Sequence, residues 1–255
     1  MPQQLKIYRD LDFRGAAEHT GNIKGNICTE KLVLVDHFTG KAIDSTSVWN
    51  SAGQASGAAS ITAPHHLTIT TGTLDDDEWA VASGLHYYGQ YNAILEVKAR
   101  NDDITGLQHC IGFSDATAET GKLAMAYAIT TLDSEASDFA GFLFDPAATT
   151  KYIYAVSVKT NVDGSVISSA HTETSSSWAT YRVELRDNGT TTDALFYLNT
   201  TGGQIDPATD LIGIEADALL RTTPLCVYIG AMNYGAGADT LDVCYVKVWQ
   251  DEITN

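Results

Sequence analysis

The chain has 255 residues, 44% of them hydrophobic, and a formal net charge of -17 from 15 Lys and Arg against 32 Asp and Glu. That acidic field repels phosphate backbones and anionic lipid, so neither nucleic acid nor a membrane is expected as a partner. No apolar run approaches the ~20 residues needed to span a bilayer, and a domain of this length buries enough surface to fold without a disulfide or metal staple.

Residues 1–31 come first as a short, glycine-punctuated segment that reads apart from residues 32–255. Its opening, "MPQQLKIYRD", has no apolar core and no small-residue cleavage site, so ordinary secretion is not expected. Beyond residue 31 the chain is dominated by period-2 alternation. "LTITTG", "YNAILEVKAR", "LQHCIGFSD", "FAGFLFD" and "KYIYAVSVKT" are strand candidates, followed by "YRVELR", "ALFYLN", "LCVYIGA" and "LDVCYVKVWQ". In "YRVELR" the alternation puts Tyr181, Val183 and Leu185 on one face and Arg182, Glu184 and Arg186 on the other. Turn signals separate the runs: "DDDEW", "DPAATT", "NVDGS", "RDNGTTTD" and "NTTGG". One stretch departs from the pattern. "DPATDLIGIEADALLR" spaces Leu211, Ile214, Ala218 and Leu219 as a helix would, or forms a loop with one helical turn. Short strands without interleaved helices predict an all-β antiparallel β-sandwich or jelly roll.

Cys28, Cys110, Cys226 and Cys244 are widely spaced with no CxxC pair, and they read as buried reduced thiols. The sequons at Asn188 and Asn199 matter only in a eukaryotic secretory setting. His65 and His66 are adjacent, so on a strand they face opposite ways and cannot chelate one ion together. A surface or capping role is expected for both. Asp75–Glu78 reads as a solvated turn.

Laid in order, "VDHFTGKAIDSTSVW", "YYGQYNAILEVKAR", "CIGFSD", "WATYRVEL", "LFYLN" and "CVYIGAMNYGAGADTLDVCYVKVWQ" give the stretch from about Leu32 to Gln250 a family likeness. It resembles the concanavalin A-like jelly rolls, which include legume-type lectins, laminarinase-like glycoside hydrolases and LamG-type binding modules. The resemblance implies a concanavalin A-like sandwich with a short N-terminal extension. In the hydrolase branch, carboxylates at i, i+2 and i+4 or i+5 of one inner strand act as nucleophile and general acid. The nearest match here is "EADALL", where Glu215 and Asp217 fit but Leu220 stands in place of the acid. "DSEASD" offers Asp133, Glu135 and Asp138 only in a polar turn. No catalytic residue is therefore expected. In hydrolase relatives the closing strand carries an Asp that can hold a structural calcium. Cys244 stands at that position, a thiol is a poor calcium ligand, and Asp242 could substitute only with shifted geometry, so no metal or cofactor is expected.

For glycans, Trp79, His86, Tyr87, Tyr88 and Tyr91 offer stacking faces with polar tips, unless these rings pack in the sandwich. Asn233, Tyr234 and Asp239 form a second candidate set, on a glycine-rich stretch that also suits a plain hairpin connection. At the N-terminus, "DLDFRGAAEHTGNI" resembles the "DLDFNGN…" segment that opens many tailed-phage fibre and virion appendage proteins. The likeness implies attachment through Leu5, Ile7, Leu11 and Phe13, apolar residues on a piece too short to bury them alone. The expected function is a non-enzymatic virion protein of a tailed bacteriophage, a capsid decoration or fibre component made in the host cytoplasm. Its expected partners are other virion proteins, further copies of itself and cell-surface glycans. A free carbohydrate-binding lectin module is the alternative, and a degenerate or unusual glycoside hydrolase the third.

Overall fold

A computed structural model of the protein describes residues 31–40, 42–45, 47–53, 56–118, 123–128 and 131–251. Leu5, Ile7, Leu11, Phe13 and Cys28 lie outside the described residues. The elements begin with β1 (Lys31–Asp36), β2 (Trp49–Gly53), β3 (Ala58–Thr62), β4 (His66–Thr70), β5 (Glu78–Ser83) and β6 (Ile94–Asn101). The middle of the chain adds β7 (Leu107–Ser114), β8 (Met125–Ala128), β9 (Thr131–Ser134), β10 (Phe139–Phe144), β11 (Tyr152–Lys159) and β12 (Val162–Asp163). β13 (Ile167–Thr172), β14 (Ala179–Asp187), β15 (Thr192–Asn199), β16 (Leu211–Leu219), β17 (Cys226–Asn233) and β18 (Thr240–Asp251) complete it. Among the described residues there is no α-helix, only a single 3-10 turn at Gly89–Tyr91.

Two antiparallel sheets face each other. Sheet one runs β16-β15-β14-β6-β18-β4-β3, with β1 pairing the far half of β18. Sheet two runs β12-β11-β10-β7-β17-β5-β2, with β13 also paired to β11. Their inner faces bury one continuous core that includes Leu95, Val97, Phe113, Val183, Ile229 and Val248. Phe142 lies at its centre, edge-to-face with Tyr181 at 5.3 Å and with Phe196 at 5.8 Å.

The sheets differ on their outer faces, and the sequence carries the difference. Sheet one alternates: Tyr181, Val183 and Leu185 are buried, while Arg182, Glu184 and Arg186 face outward, as the period of 2 predicts. In sheet two, β7, β10 and β17 are buried at every position, which matches their near-continuous apolar runs. The cause is the β8–β9 hairpin, which places Leu123, Met125 and Leu132 against Cys110, Leu143 and Tyr228 on the outer side. Gly112 and Gly141 sit opposite each other in that face. A Cβ on Gly112 would come within 2.7 Å of the Gly141 Cα.

Several expectations change. The helix-like stretch at 206–221 is a turn followed by the edge strand β16, where Leu211 and Ile214 are exposed and only Ala218 and Leu219 are buried. β16 leans across the sandwich edge: Glu215 Oε1 accepts from the Ser165 amide at 3.1 Å, and Asp217 pairs with the Lys159 ammonium of β11. His66 is no surface residue; it is buried, 3.2 Å from Asp242 and edge-on to Trp178. His65 does lie exposed in the turn before β4. In Asp75–Glu78, Asp75 and Asp76 are exposed, but Asp77 and Glu78 are buried. The Asp77 carboxylate caps its own turn by accepting from the Leu74 amide at 3.0 Å.

Candidate functional site

The antiparallel pairing of β5 with β17 sets Glu78 opposite Met232 and Ala82 opposite Tyr228. The residues before β5 therefore share one end of the sandwich with those after β17, and His86–Tyr88 emerge at the other end. The residues singled out for glycans thus fall in three places. Trp79 packs against the inter-sheet core with its indole N–H donating to Ser51 at 2.9 Å. Tyr87 is 3% exposed and packs on Phe113, bridged to Leu225, so it serves the core. His86 is exposed nearby, and Tyr88 is half-buried, edge-on to Tyr91 at 5.7 Å. Asn233, Tyr234 and Asp239 lie at the opposite end.

At that end Asn233 is 1% exposed. The two hydrogens of its side-chain NH2 are shared among the carbonyls of Gly72, Leu74, Gly235 and Gly237, which ties the loop before β5 to the loop after β17. It is an organiser, not a contact residue. Tyr234 is 46% exposed, and its amide donates to the Gly106 carbonyl at 2.6 Å, which brings the 102–106 turn alongside. Two carboxylates converge there: a Cβ on Gly106 would lie 2.4 Å from Asp239 Oδ2 and 3.1 Å from Asp103 Oδ2. Burial raises the Asp239 pKa, helped by the neighbouring negative charges of Asp103 and Asp102. Asp103 is lowered, chiefly because its carboxylate accepts from the Thr105 hydroxyl at 2.6 Å and the Thr105 amide at 2.7 Å. The result is a carboxylate acceptor pair flanking Gly106, whose carbonyl holds the backbone amide of the exposed Tyr234.

Beneath this turn lies a buried polar group. Asn101 accepts from the Asp103 amide at 2.9 Å and donates to the Leu107 carbonyl at 3.2 Å. The same side-chain amide reaches Glu173 Oε2 at 3.5 Å, and the Tyr181 hydroxyl reaches Glu173 Oε1 at 3.4 Å. His109 Nε2 stands 3.7 Å from Glu173, its ring stacked on Phe144, and neither ring nitrogen has a hydrogen-bond partner among the described residues. Burial pushes the Glu173 carboxyl up to about 8 and the His109 imidazole down to about 3. Sequence reasoning missed Asp103, Gly106, Asn101 and Glu173. The "DD" before β7 was the one available signal.

The acids weighed for hydrolysis have other partners. Glu215 and Asp217 hold β16 to sheet two, and β7 and β10 carry no pair of carboxylates on one face. Asp242 accepts from Thr68 at 2.7 Å and pairs with Arg100 at 2.8 Å and His66, so its oxygens are engaged. Cys244 is half-buried at a register shift between Val243 and Tyr245. Among the described residues, no group of three or more His, Cys, Asp or Glu side chains could hold a metal ion. A cleft of about 400 Å³ opens at the edge of the sandwich between Ser169, His171, Thr209 and Asp210. The sequon residue Asn199 borders it, with its amide donating to Gln204 and Asp210 and its oxygen accepting from Thr201.

Comparison with known families finds none that matches the chain. No curated protein sequence matches it either. Solved structures do. The carbohydrate recognition domain of Emp47p superposes with a TM-score of 0.60 at 9% identity, covering 89% of this chain and 99% of that one. Peanut lectin gives 0.56 at 11% identity over 89% and 100% of the two chains. Rv0315 of Mycobacterium tuberculosis, an immunostimulatory antigen and pseudo beta-1,3-glucanase, gives 0.57 at 10% identity over 85% and 98%. Likeness at such identities speaks for architecture alone. The chain has the all-β, antiparallel sandwich fold of the concanavalin A-like jelly rolls.

Proposed function

We propose that the chain is a non-catalytic carbohydrate-binding module of the lectin type, which holds its glycan at the sandwich end built from the turns at 72–77, 102–106 and 234–239. The observation that carries this reading is the Asp103–Asp239 acceptor pair with side-chain-free Gly106 between the carboxylates, and the exposed Tyr234 tied through its backbone amide to the Gly106 carbonyl. A pyranose offers what such a site lacks: hydroxyl donors for the two carboxylates and an apolar C–H face for the ring. The acidity of the site favours neutral or basic sugars over sulfated or uronic ones. The structural likeness to lectins supports the reading at the level of the fold.

Tyr234→Ala is expected to lower the affinity for any glycan retained on an array by at least about tenfold, the scale of one lost aromatic contact. Its unfolding midpoint should stay unchanged, because the ring is exposed. An array on which the wild type retains no glycan would sink the proposal.

A role on a tailed-phage virion is a second proposal, compatible with the first. It is supported by Leu5, Ile7, Leu11 and Phe13 in the leading segment and by the position of β1, which pairs β18 along one side only among the described residues. Removing residues 1–30 is expected to leave a soluble sandwich that no longer incorporates into particles. Normal incorporation of the truncated chain would overturn it.

A further inference from the structure

We infer that the cleft between β13 and β16 is a second saccharide subsite, so that the ligand is an extended neutral oligosaccharide lying across the end of the sandwich. A single terminal sugar would leave half of that surface unused. The inference deepens the glycan reading and rests on it for the nature of the ligand.

One wall of the cleft is a strained bulge. Tyr152 pairs with Thr172 and Tyr154 with Ser168, so three residues of β13 stand against Ile153 alone. Within this bulge Ala170 takes a φ of 57°, a left-handed backbone that alanine rarely adopts. Two hydroxyls hold it there: the Ala170 amide donates to Ser168 at 3.2 Å, and the His171 amide to Ser169 at 3.0 Å. The strain achieves placement. Ser169 is buried and His171 exposed, and both line the cleft. Bulges re-aim side chains beside functional sites, and left-handed residues other than glycine gather at ligand clamps.

The lining suits a pyranose. Leu198 and Ile212 supply apolar surface, and next to them the two sheet edges meet, where a Cβ on Gly213 would lie 2.7 Å from Ile167 Cγ2. Asp210 Oδ2 is engaged by the Asn199 side chain at 3.1 Å and the Asp206 amide at 2.8 Å. Its Oδ1 has only the Thr209 hydroxyl at 3.4 Å and stays available as an acceptor. The hydrogen bonds of His171 among the described residues use its backbone alone, which leaves the imidazole for a ligand. A carboxylate oxygen and an imidazole over apolar side chains match the hydroxyls and C–H face of a sugar. No Lys or Arg lines the cleft among the described residues, so an anionic sugar is disfavoured.

Strand register puts the cleft at the same end of the sandwich as Gly106. Asn199 pairs with Thr180 and Thr180 with Lys98, three residues before Asn101. Two strand spacings, roughly 10 Å, separate β6 from β15, and one more reaches β16. The 174–177 stretch, Thr-Ser-Ser-Ser, bridges the interval and is exposed throughout. On one side the Ser176 amide donates to the Asn101 carbonyl and the Ser175 hydroxyl to the Asp102 carbonyl. On the other, Trp178 packs on Gly202, where a Cβ would come within 2.7 Å of the Trp178 Cβ. A hydroxyl-lined saddle therefore joins the two places, and several linked sugars span what one cannot.

The test titrates the full chain with linear gluco-, galacto- and manno-oligosaccharides, from monosaccharide to hexasaccharide, by calorimetry and backbone-amide NMR. Wild-type affinity is expected to rise at least about tenfold with length once the sugar chain reaches the cleft. Short sugars should shift the Gly106 and Tyr234 amides alone, and long ones those of Thr200 and His171 as well. His171→Ala, and Thr200→Trp as a plug, should remove most of the gain and leave monosaccharide affinity unchanged. Both positions are exposed, so the fold should tolerate the changes. Tyr234→Ala should instead lower affinity at every length. Affinity independent of length, or cleft variants that bind every sugar as wild type does, overturns the inference and leaves the glycan reading intact. A length gain lost in the cleft variants, with binding untouched by Tyr234→Ala, supports the cleft subsite and overturns the placement of a sugar at Gly106.

Discussion

Replacing Glu173 by glutamine is expected to raise the unfolding free energy at pH 8 by about 4 kcal/mol while changing it little at pH 4. The folded-state pKa of Glu173 lies near 8 against a reference of 4.5, so the native state holds a proton that the unfolded chain releases. Stability from this group is complete below about pH 4.5 and declines as the pH rises toward 8. His109 acts in the opposite sense. Its folded-state value near 3 lies below the reference of 6.5, so its contribution is complete above about pH 6.5 and is lost as the pH falls toward 3. Between pH 4.5 and 6.5 the two slopes oppose each other. The wild type should show a plateau there, with stability falling on either side, in urea titrations run across pH. A wild-type midpoint that keeps rising from pH 6.5 to 8, or a Glu173→Gln protein no more stable at pH 8 than wild type, would refute this.

The second large effect is mechanical. Phe142→Ala should destabilise the domain by about 3–5 kcal/mol, because the ring is fully buried and makes edge-to-face contacts with Tyr181 and Phe196 from the opposite sheet. Chemical denaturation of the variant measures it directly. A loss under about 1 kcal/mol would mean that the sheets can close over the cavity, which a core of this packing should not permit. Tyr181 links this ring to Glu173, so the double change should fall short of the sum of the single ones.

The sandwich was legible in the sequence wherever one face of a strand meets water. β14 announced itself because Tyr181, Val183 and Leu185 alternate with charged residues, and the structure buries the first set and exposes the second. β16 was not legible. It pairs with β15 through two register shifts, so its period of 2 is broken and the surviving spacing of Leu211, Ile214 and Ala218 mimics a helix. Glu96 shows a different limit. It faces outward from β6 as alternation predicts, yet it is buried under Arg182, Tyr245 and Lys247, partners 86, 149 and 151 residues away. The site divides in the same way. Tyr234 and Asp239 stood out in a glycine-rich stretch, whereas Asp103 and Gly106 acquire meaning only when the 102–106 turn is carried against them by sheet pairing. Tyr87 and Asn233 carried the right chemistry but in buried positions, where they organise chain instead of meeting solvent.

The lean of β16 across the sandwich also bears on how the molecule behaves in a crowd. An outermost strand ordinarily offers a row of unmatched amides and carbonyls to any extended chain nearby, and such rows nucleate fibrils. Here the row is interrupted: the register breaks twice, Asp217 turns the backbone to a φ of 58°, and Lys159 of β11 and Ser165 of the β12–β13 connection hold the strand aside. Leu211 and Ile214 remain at the surface, yet the backbone beside them is a poor template for a foreign strand. The margin of the domain that looks most adhesive by composition is thereby kept from propagating a sheet between molecules.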